Sequence, residues 1–250
     1  MILNVAAYLF AAIDDADALA ARIRARAEAD ALRGSVLVAP EGLNLFLAGQ
    51  EAPLRGFLHW LREDARFAGL HAKESWSETL PFAKLKVKRK HEIIAFRRER
   101  ATPLASGERA PAIEPTTLQR WIAQGQDDAG RRLVLLDTRN REEVGFGTFK
   151  DAVTLPIDNF TALPEELAPH RDALRDATVV SFCTGGIRCE KAALWLRQDG
   201  MDNLLQLDGG ILGYFEKVGG AGYEGRCFVF DERVALDPAL KPLVDAGTVA

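Results

Sequence analysis

The stretch that decides the fold of this chain is Val179-Val-Ser-Phe-Cys183-Thr-Gly-Gly-Ile-Arg-Cys-Glu-Lys-Ala192. Its opening apolar run predicts a buried strand, and the apolar residues from Ala192 to Leu196 predict a helix. The two glycines between them mark a turn. The turn is therefore a strand-to-helix loop, with Cys183 at its head.

Cys183 stands where a sulfur anion is easily held. The glycines let backbone N–H groups converge, and the first turn of a helix adds unpaired donors and a partial positive charge. The pKa of a free cysteine is near ~8.5, and a helix N-terminus or a cation such as Arg188 lowers it by about one to several units. A cysteine that ends a core strand is commonly just a small hydrophobe, but a structural cysteine has no need of such a loop. We interpret Cys183 as a nucleophile.

The remaining candidate residues surround this cysteine in the sequence. Asp137 and Arg139 are expected to brace the loop through charge-assisted hydrogen bonds rather than to take part in bond making. Cys189 either packs under the helix or resolves an oxidised Cys183, and the sequence favours neither. The predicted active-site loop comprises Thr184, Gly185, Gly186, Ile187 and Arg188.

Three segments resemble rhodanese domains, which carry a persulfide on a cysteine at the head of a short loop. They are Cys183 to Arg188, Leu133 to Arg139 with Glu143 and Gly147 following, and Leu205 to Ile211 with Tyr214. The resemblance covers about Ile113 to Tyr223. It departs at Thr148, where many rhodanese domains have a histidine.

The longer string from Cys183 to Ala192 resembles the bacterial tRNA uridine hydroxylases that carry a rhodanese domain. Glu41-Gly-Leu-Asn44 and Phe228-Val-Phe-Asp-Glu-Arg233 resemble further segments of that family. The resemblance implies oxygen-dependent conversion of the wobble uridine (position 34) of tRNA to 5-hydroxyuridine, with the loop cysteine required. Longer members continue into a cysteine-rich C-terminal extension, and we expect this chain to resemble a short form without that extension. Glu41 and Asn44 are residue types that favour hairpin loops, so we interpret them first as turn residues. A role for them in binding RNA or substrate rests on the resemblance alone.

Composition narrows the function classes. The chain has 250 residues, 48% hydrophobic residues and a net charge of −4, so any RNA affinity must come from a local basic patch. Three cysteines without a disulfide pattern fit a reducing compartment. No apolar run approaches the ~20 residues that a membrane helix needs, so we expect a cytoplasmic protein. Four scattered histidines predict no metal site, and no cofactor is evident.

The order of elements predicts two α/β domains. A βαββαβ order over residues 1–97 predicts a ferredoxin-like (acylphosphatase-like) domain, with strands that include Leu3–Ala11, Gly69–Trp76 and Lys84–Phe96. Residues 98–112 are predicted to form a linker. Residues 113–225 alternate strands, one of them near Val153, with helices and predict a rhodanese-like parallel sheet. Residues 226–250 form a C-terminal extension.

The best local basic patch lies in the last strand of the first domain. Alternation places its lysines on one strand face, where phosphates could line up. The sequence alone slightly favours the interpretation that this is a solvated edge strand whose lysines deter aggregation. With the family resemblance added, we favour RNA binding. The RNA-binding candidates are Lys84, Lys86, Lys88, Arg89 and Lys90.

Two reactions fit the same nucleophile. A hydroxylase would use tRNA and molecular oxygen, with the thiolate adding to C6 of the pyrimidine. The alternative is a sulfurtransferase that passes sulfane sulfur from thiosulfate or a persulfide donor to a thiol acceptor through a Cys183 persulfide. A scaffold that binds tRNA or a partner without catalysis predicts that Cys183→Ser leaves function intact. A phosphatase is disfavoured because the loop is one residue shorter than the Cys-x5-Arg form that fits phosphate.

Overall fold

The computed structural model describes residues 1–244, so the last six residues of the predicted extension 226–250 lie outside the described part. The chain forms two compact units. The first contains Met1–Ala95 and Phe230–Val234, together with the described residues from Lys241 onward, and the second contains Phe96–Val229 and Ala235–Leu240. No helix among residues 1–244 is long and apolar enough to cross a membrane.

The first unit has the predicted βαββαβ order followed by one more strand at the edge of its sheet. The sheet order is β4-β1-β3-β2-β5, with β5 parallel to β2 and the other pairs antiparallel. The elements are β1 (Ile2–Phe10), α1 (Ala16–Ala29), β2 (Arg33–Ala39), β3 (Gly42–Gly49), α2 (Glu51–Glu63), β4 (Lys73–Ser77) and β5 (Leu85–Arg89), with a 3-10 turn at Ala65–Phe67.

Helix α2 shows why the helices cover the sheet. It buries Leu54, Phe57, Leu58 and Leu61, which recur at helical spacing and form one apolar face. These side chains join a core with the alternate residues of β3, among them Leu45.

The predicted strand Lys84–Phe96 is too long, since β5 ends at Arg89. Its partner β2 ends at Ala39, and the last backbone bond runs from the Lys90 N–H to the Val38 carbonyl. Beyond it the backbone of Ile93 is held by side chains instead of by a strand: Glu41 Oε1 accepts from its N–H at 2.8 Å, and Asn44 Nδ2 donates to its carbonyl at 3.1 Å. The hairpin residues Glu41 and Asn44 therefore position the chain that follows β5.

The second unit is built on a parallel sheet of order β6-β10-β9-β7. Its strands are β6 (Ala112–Ile113), β7 (Leu133–Asp137), β8 (Gly147–Phe149), β9 (Thr178–Phe182), β10 (Leu204–Leu207), β11 (Tyr223–Gly225), β12 (Cys227–Phe228) and β13 (Ala235–Leu236). Its helices are α3 (Pro103–Ser106), α4 (Pro115–Gln124), α5 (Arg141–Val144), α6 (Leu163–Leu167), α7 (Arg171–Leu174), α8 (Ile187–Gln198) and α9 (Gly210–Val218), with 3-10 turns at Phe160–Ala162 and Ala168–His170.

The strand predicted near Val153 is only an isolated parallel bridge to Leu136. Val153 exchanges two backbone hydrogen bonds with the β7 segment, through Leu135 and Asp137. Pro156 follows shortly afterwards, and a proline cannot donate to a longer ladder. The central strand β9 has every residue buried, which agrees with the apolar run that predicted it.

Candidate active site

Cys183 lies directly after β9 and faces the start of α8. Gly186 is the N-cap of α8 with φ of +101°, a backbone conformation that glycine adopts without strain. That conformation directs the Gly186 N–H to the Cys183 sulfur, at an N···S distance of 3.1 Å. The backbone N–H groups of Arg188 and Cys189, in the first turn of α8, also lower the pKa of Cys183. The predicted convergence of helix N-terminal donors on Cys183 is thus present.

The loop backbone is fixed from behind by α9. The Ile211 N–H donates to the Cys183 carbonyl at 2.9 Å, and the Leu212 N–H donates to the Thr184 carbonyl at 3.0 Å. Gly210 permits this approach, because a Cβ there would lie 2.4 Å from the Cys183 carbonyl oxygen. The first N–H groups of α9 therefore hold the loop.

Arg188 is tied to a carboxylate far away in sequence. Its Nη1 and Nη2 donate to the two carboxylate oxygens of Glu143 at 2.5 and 2.7 Å. Glu143 also accepts from the Thr184 hydroxyl at 3.2 Å. All three residues are buried. Burial raises the pKa of Glu143, but hydrogen bonds from Arg188 outweigh it and hold that pKa below its ordinary value. The loop thus contains a fixed, fully charged pair.

The two loop cysteines differ in protonation. Burial raises the pKa of Cys183, but a hydrogen bond from the Cys189 thiol and the charge of Arg188 outweigh burial and hold its pKa well below the ordinary value. Burial and the neighbouring Cys183 sulfur together raise the pKa of Cys189 well above the ordinary value. At neutral pH the pair is one thiolate and one thiol.

Asp137 and Arg139 form a second buried pair. Arg139 Nε and Nη2 donate to the two Asp137 oxygens at 2.9 and 2.6 Å, and Nη2 also donates to the Gly147 carbonyl at 2.6 Å. Thr148, at the position where many rhodanese domains have histidine, donates from its hydroxyl to Asp137 at 2.7 Å. These bonds join Asp137 and Arg139 to each other and to the segment that contains Gly147 and Thr148, and their expected role in bracing the Cys183 loop stays a prediction.

The loop residues are buried except Gly185, which is partly exposed. Cys183 itself has no exposed surface. Ile187, the first residue of α8, is 8% exposed. Gly185 is therefore the point at which the predicted loop meets solvent.

Comparison with known proteins follows the same division into two parts. The UPF0176 acylphosphatase like domain matches residues 2–93, and the Rhodanese-like domain matches residues 114–217. A curated protein of Xanthomonas euvesicatoria, named tRNA uridine(34) hydroxylase, is 66% identical over 100% of this chain and 100% of its own length. A protein of the same name from Xylella fastidiosa is 59% identical over 100% of this chain and 96% of its own.

The chain belongs to the tRNA uridine(34) hydroxylase family. The resemblance expected from the loop and hairpin segments is thereby confirmed. Among solved structures, a rhodanese-related protein from Thermoplasma volcanium is 26% identical, with coverage of 43% of this chain and 93% of that chain and a TM-score of 0.34.

In this hydroxylase-family chain the basic candidates lie on the edge strand β5. Leu85 and Val87 point towards the core, whereas Lys84, Lys86, Lys88, Arg89 and Lys90 are exposed. The predicted alternation is present, and an RNA-binding role for these residues stays a prediction. Arg89 is also 3.6 Å from the exposed carboxylate of Asp17, so part of its charge is shared with α1.

Sequence reasoning missed Glu190 and assigned no role to Glu143. Glu190 is fully buried in α8 and accepts hydrogen bonds from Arg109 at 2.7 Å, the Ala110 N–H at 2.9 Å and Gln206 at 2.8 Å. A glutamate inside a helix ordinarily predicts an exposed face, and Arg109 lies 81 positions away. For Glu143 the rhodanese resemblance was the only signal.

Proposed function

We propose that this protein hydroxylates uridine 34 of tRNA to 5-hydroxyuridine, with Cys183 as the nucleophile and molecular oxygen as co-substrate. Full-length identity of 66% to a protein named tRNA uridine(34) hydroxylase is the observation that carries the proposal. The loop geometry supports it independently, because a stabilised thiolate is what addition to a pyrimidine requires.

The residues have distinct parts in this reaction. The Cys183 thiolate adds to C6 of the uracil ring, which makes C5 a carbanion that attacks oxygen. Arg188 and the N–H groups at the start of α8 keep the sulfur ionised before the attack. Because Cys183 has no exposed surface, the base reaches the sulfur only after the groups that cover it move.

The exposed lysines of β5 are the proposed phosphate contacts of the tRNA. Their charges lie in water on one face of an edge strand, so they can pair with a polyanion without breaking contacts of the core. We place the protein in the cytoplasm, which fits its tRNA substrate and its three unpaired cysteines.

Mass spectrometry of tRNA nucleosides tests the proposal. Cells that lack the protein are complemented with wild type, with Cys183→Ala or with Cys227→Ala, which removes another buried cysteine. Loss of 5-hydroxyuridine that wild type and Cys227→Ala restore, and Cys183→Ala does not, is the expected result. An unchanged 5-hydroxyuridine level in the deletion would contradict the proposal.

Sulfur transfer is the second candidate function, and the surroundings of the Cys183 sulfur favour it specifically. The Gly186 N–H that donates to the sulfur, and the first turn of α8 that lowers its pKa, also suit a persulfide. In that reaction the thiolate attacks the outer sulfur of thiosulfate and sulfite leaves. Thiocyanate formation from thiosulfate and cyanide measures it directly. A protein that restores 5-hydroxyuridine and forms no thiocyanate is a hydroxylase alone.

A further inference from the structure

The proposed hydroxylation requires an electron source. Replacing the hydrogen on C5 by a hydroxyl group consumes one atom of molecular oxygen. The other atom must leave as water, which takes two electrons and two protons. These electrons are needed because the proposed function is a hydroxylation, so any assignment of their source rests on that proposed function.

Cys189 is a second thiol that the addition step does not use. It lies in the first turn of α8, has no exposed surface, and its sulfur is 3.4 Å from the Thr138 hydroxyl oxygen. Cys183 lies directly before the same helix, and its sulfur accepts a hydrogen bond from the N–H of the N-cap residue Gly186 at 3.1 Å. Both sulfurs thus lie at the start of α8, where each affects the ionisation of the other, and neither is part of a disulfide.

Thr138 holds Cys189 in this position. Its hydroxyl lies 3.0 Å from the Phe182 carbonyl, at the end of β9, as well as near the Cys189 sulfur. The second thiol is therefore anchored to the end of β9, directly before Cys183. A disulfide needs the sulfurs to close to ~2.05 Å, and both cysteines already lie at the junction of β9 and α8.

We propose that Cys183 and Cys189 are the dithiol that supplies both electrons, so that each hydroxylation ends with a Cys183–Cys189 disulfide. An external dithiol then reduces this disulfide before the next turnover. Cys189 is thereby a reactant and not only a packing residue.

The steps balance in atoms and electrons. After Cys183 has added to C6, the C5 carbanion bonds to oxygen. The resulting peroxide anion takes the proton of the Cys189 thiol, which gives a C5 hydroperoxide and a Cys189 thiolate. The Cys189 sulfur attacks its outer oxygen and the O–O bond breaks, which leaves a hydroxyl on C5 and a sulfenic acid on Cys189. Loss of the C5 proton breaks the C6–S bond and releases 5-hydroxyuridine and the Cys183 thiolate.

The Cys183 thiolate then attacks the Cys189 sulfenic sulfur, and hydroxide leaves as water after taking up a proton. The sum is uridine plus oxygen plus two thiols, giving 5-hydroxyuridine, water and one disulfide. Each thiol sulfur is oxidised by one electron and the oxygen molecule is reduced at its O–O bond. The protonated state of Cys189 fits its part, since the pair then holds one nucleophile and one reserve thiol.

A single-turnover experiment tests the proposal. The full chain is reduced, freed of reductant, and mixed in air-saturated buffer with tRNA that carries unmodified uridine 34. Nucleoside mass spectrometry measures 5-hydroxyuridine, and peptide mapping after alkylation measures the Cys183–Cys189 disulfide. We expect equimolar amounts of the two products and further turnover when dithiothreitol is added. Formation of 5-hydroxyuridine without that disulfide would overturn the proposal.

Two matched variants sharpen the result. Without added reductant, Cys189→Ser is expected to lose at least about tenfold in 5-hydroxyuridine yield, because only one thiol remains. Cys227→Ser removes the third cysteine, whose sulfur lies 3.7 Å from the Phe228 carbonyl, and is expected to form the disulfide as wild type does. A wild-type yield from Cys189→Ser contradicts the proposal.

The two proposals fail in different ways. If wild type forms no 5-hydroxyuridine even with dithiothreitol present, the hydroxylase function and the dithiol role both fall. If it forms 5-hydroxyuridine but the disulfide stays absent, the function stands and the dithiol role falls. The wild-type disulfide measurement decides this even where Cys189→Ser folds poorly.

Discussion

The loop around Cys183 and the edge strand β5 both carry positive charge, and they hold it in opposite ways. Arg188 is buried and bound through two hydrogen bonds to Glu143, whereas the β5 lysines extend into water. A buried charge acts strongly over a short range, and an exposed charge is screened by salt. The loop is therefore suited to ionising one atom, and β5 to attracting a large polyanion.

Removal of the nucleophile is expected to have the largest effect. Cys183→Ala should reduce 5-hydroxyuridine formation in purified reactions to below about one-thousandth of wild type, as when a covalent nucleophile is lost elsewhere. Lys86→Ala is the matched variant on β5. It should reduce 5-hydroxyuridine formation at low tRNA concentration, and a high tRNA concentration should restore the wild-type level. Comparable losses in both variants under saturating tRNA would erase the contrast between the regions.

Arg188→Met is expected to raise the pKa of Cys183, because the thiolate loses the positive charge of Arg188 that lowers this pKa in wild type. In wild type, alkylation of Cys183 should stay fast as the pH falls below ~8.5, since the pKa is depressed, and in the variant the midpoint should move upward. Each pKa unit reduces the thiolate fraction at lower pH about tenfold.

The same change leaves Glu143 buried without its partner, at a cost of about 3 to 5 kcal/mol in unfolding free energy. Arg188→Lys keeps the charge and is the control. It should retain more of the low-pH alkylation than Arg188→Met. Identical pH midpoints for wild type and Arg188→Met would show that Arg188 does not set the ionisation of Cys183.

The lysines of β5 are expected to act through salt-dependent binding. Changing Lys84, Lys86 and Lys88 to alanine should weaken tRNA binding and lower the slope of log affinity against log salt by about 0.7 to 0.9 for each phosphate that the variant no longer neutralises. Titrations at several salt concentrations measure it. Lys217→Ala, which removes one exposed lysine at the end of α9, is the control for loss of a surface charge elsewhere and should change the slope less per lysine removed.

Thr148→Val is expected to have the smallest effect. It removes the hydroxyl that donates to Asp137 at 2.7 Å, and loss of one such bond costs about 1 kcal/mol in unfolding free energy. Urea denaturation measures the change. Thr116→Val alters an exposed threonine of α4 and should cost less. Equal costs would mean that Thr148 does not support the buried region.

The sequence predicted those features of the site that depend on contiguous residues. The apolar run of β9, the two glycines and the start of α8 are contiguous, so the loop and the position of Cys183 follow from the order of residues. The partners of the buried charges do not follow from the order of residues. Glu143 lies 45 positions from Arg188, and only the folded chain brings them together.

The end of β5 illustrates the same limit. Apolar residues continue to Phe96, so the pattern predicts more strand, but β2 offers no further backbone partners beyond Ala39. Strand length depends on the neighbour as much as on the strand. The hydrogen bond from the Gly186 N–H to the Cys183 sulfur likewise depends on the positive φ of Gly186, which composition does not specify.

Helix α9 controls reactivity without contributing a reacting atom. By engaging the carbonyl oxygens of Cys183 and Thr184, it turns the acceptor side of those peptide groups away and leaves donors around the sulfur. The second helix, which approaches the loop at Gly210, thus binds the carbonyl oxygens of the loop and leaves N–H donors near the sulfur. Even one added methyl group at that position would push α9 away from the loop backbone at Cys183 and Gly186. A packing change at a residue without a reacting atom would therefore alter how basic and how nucleophilic the sulfur is.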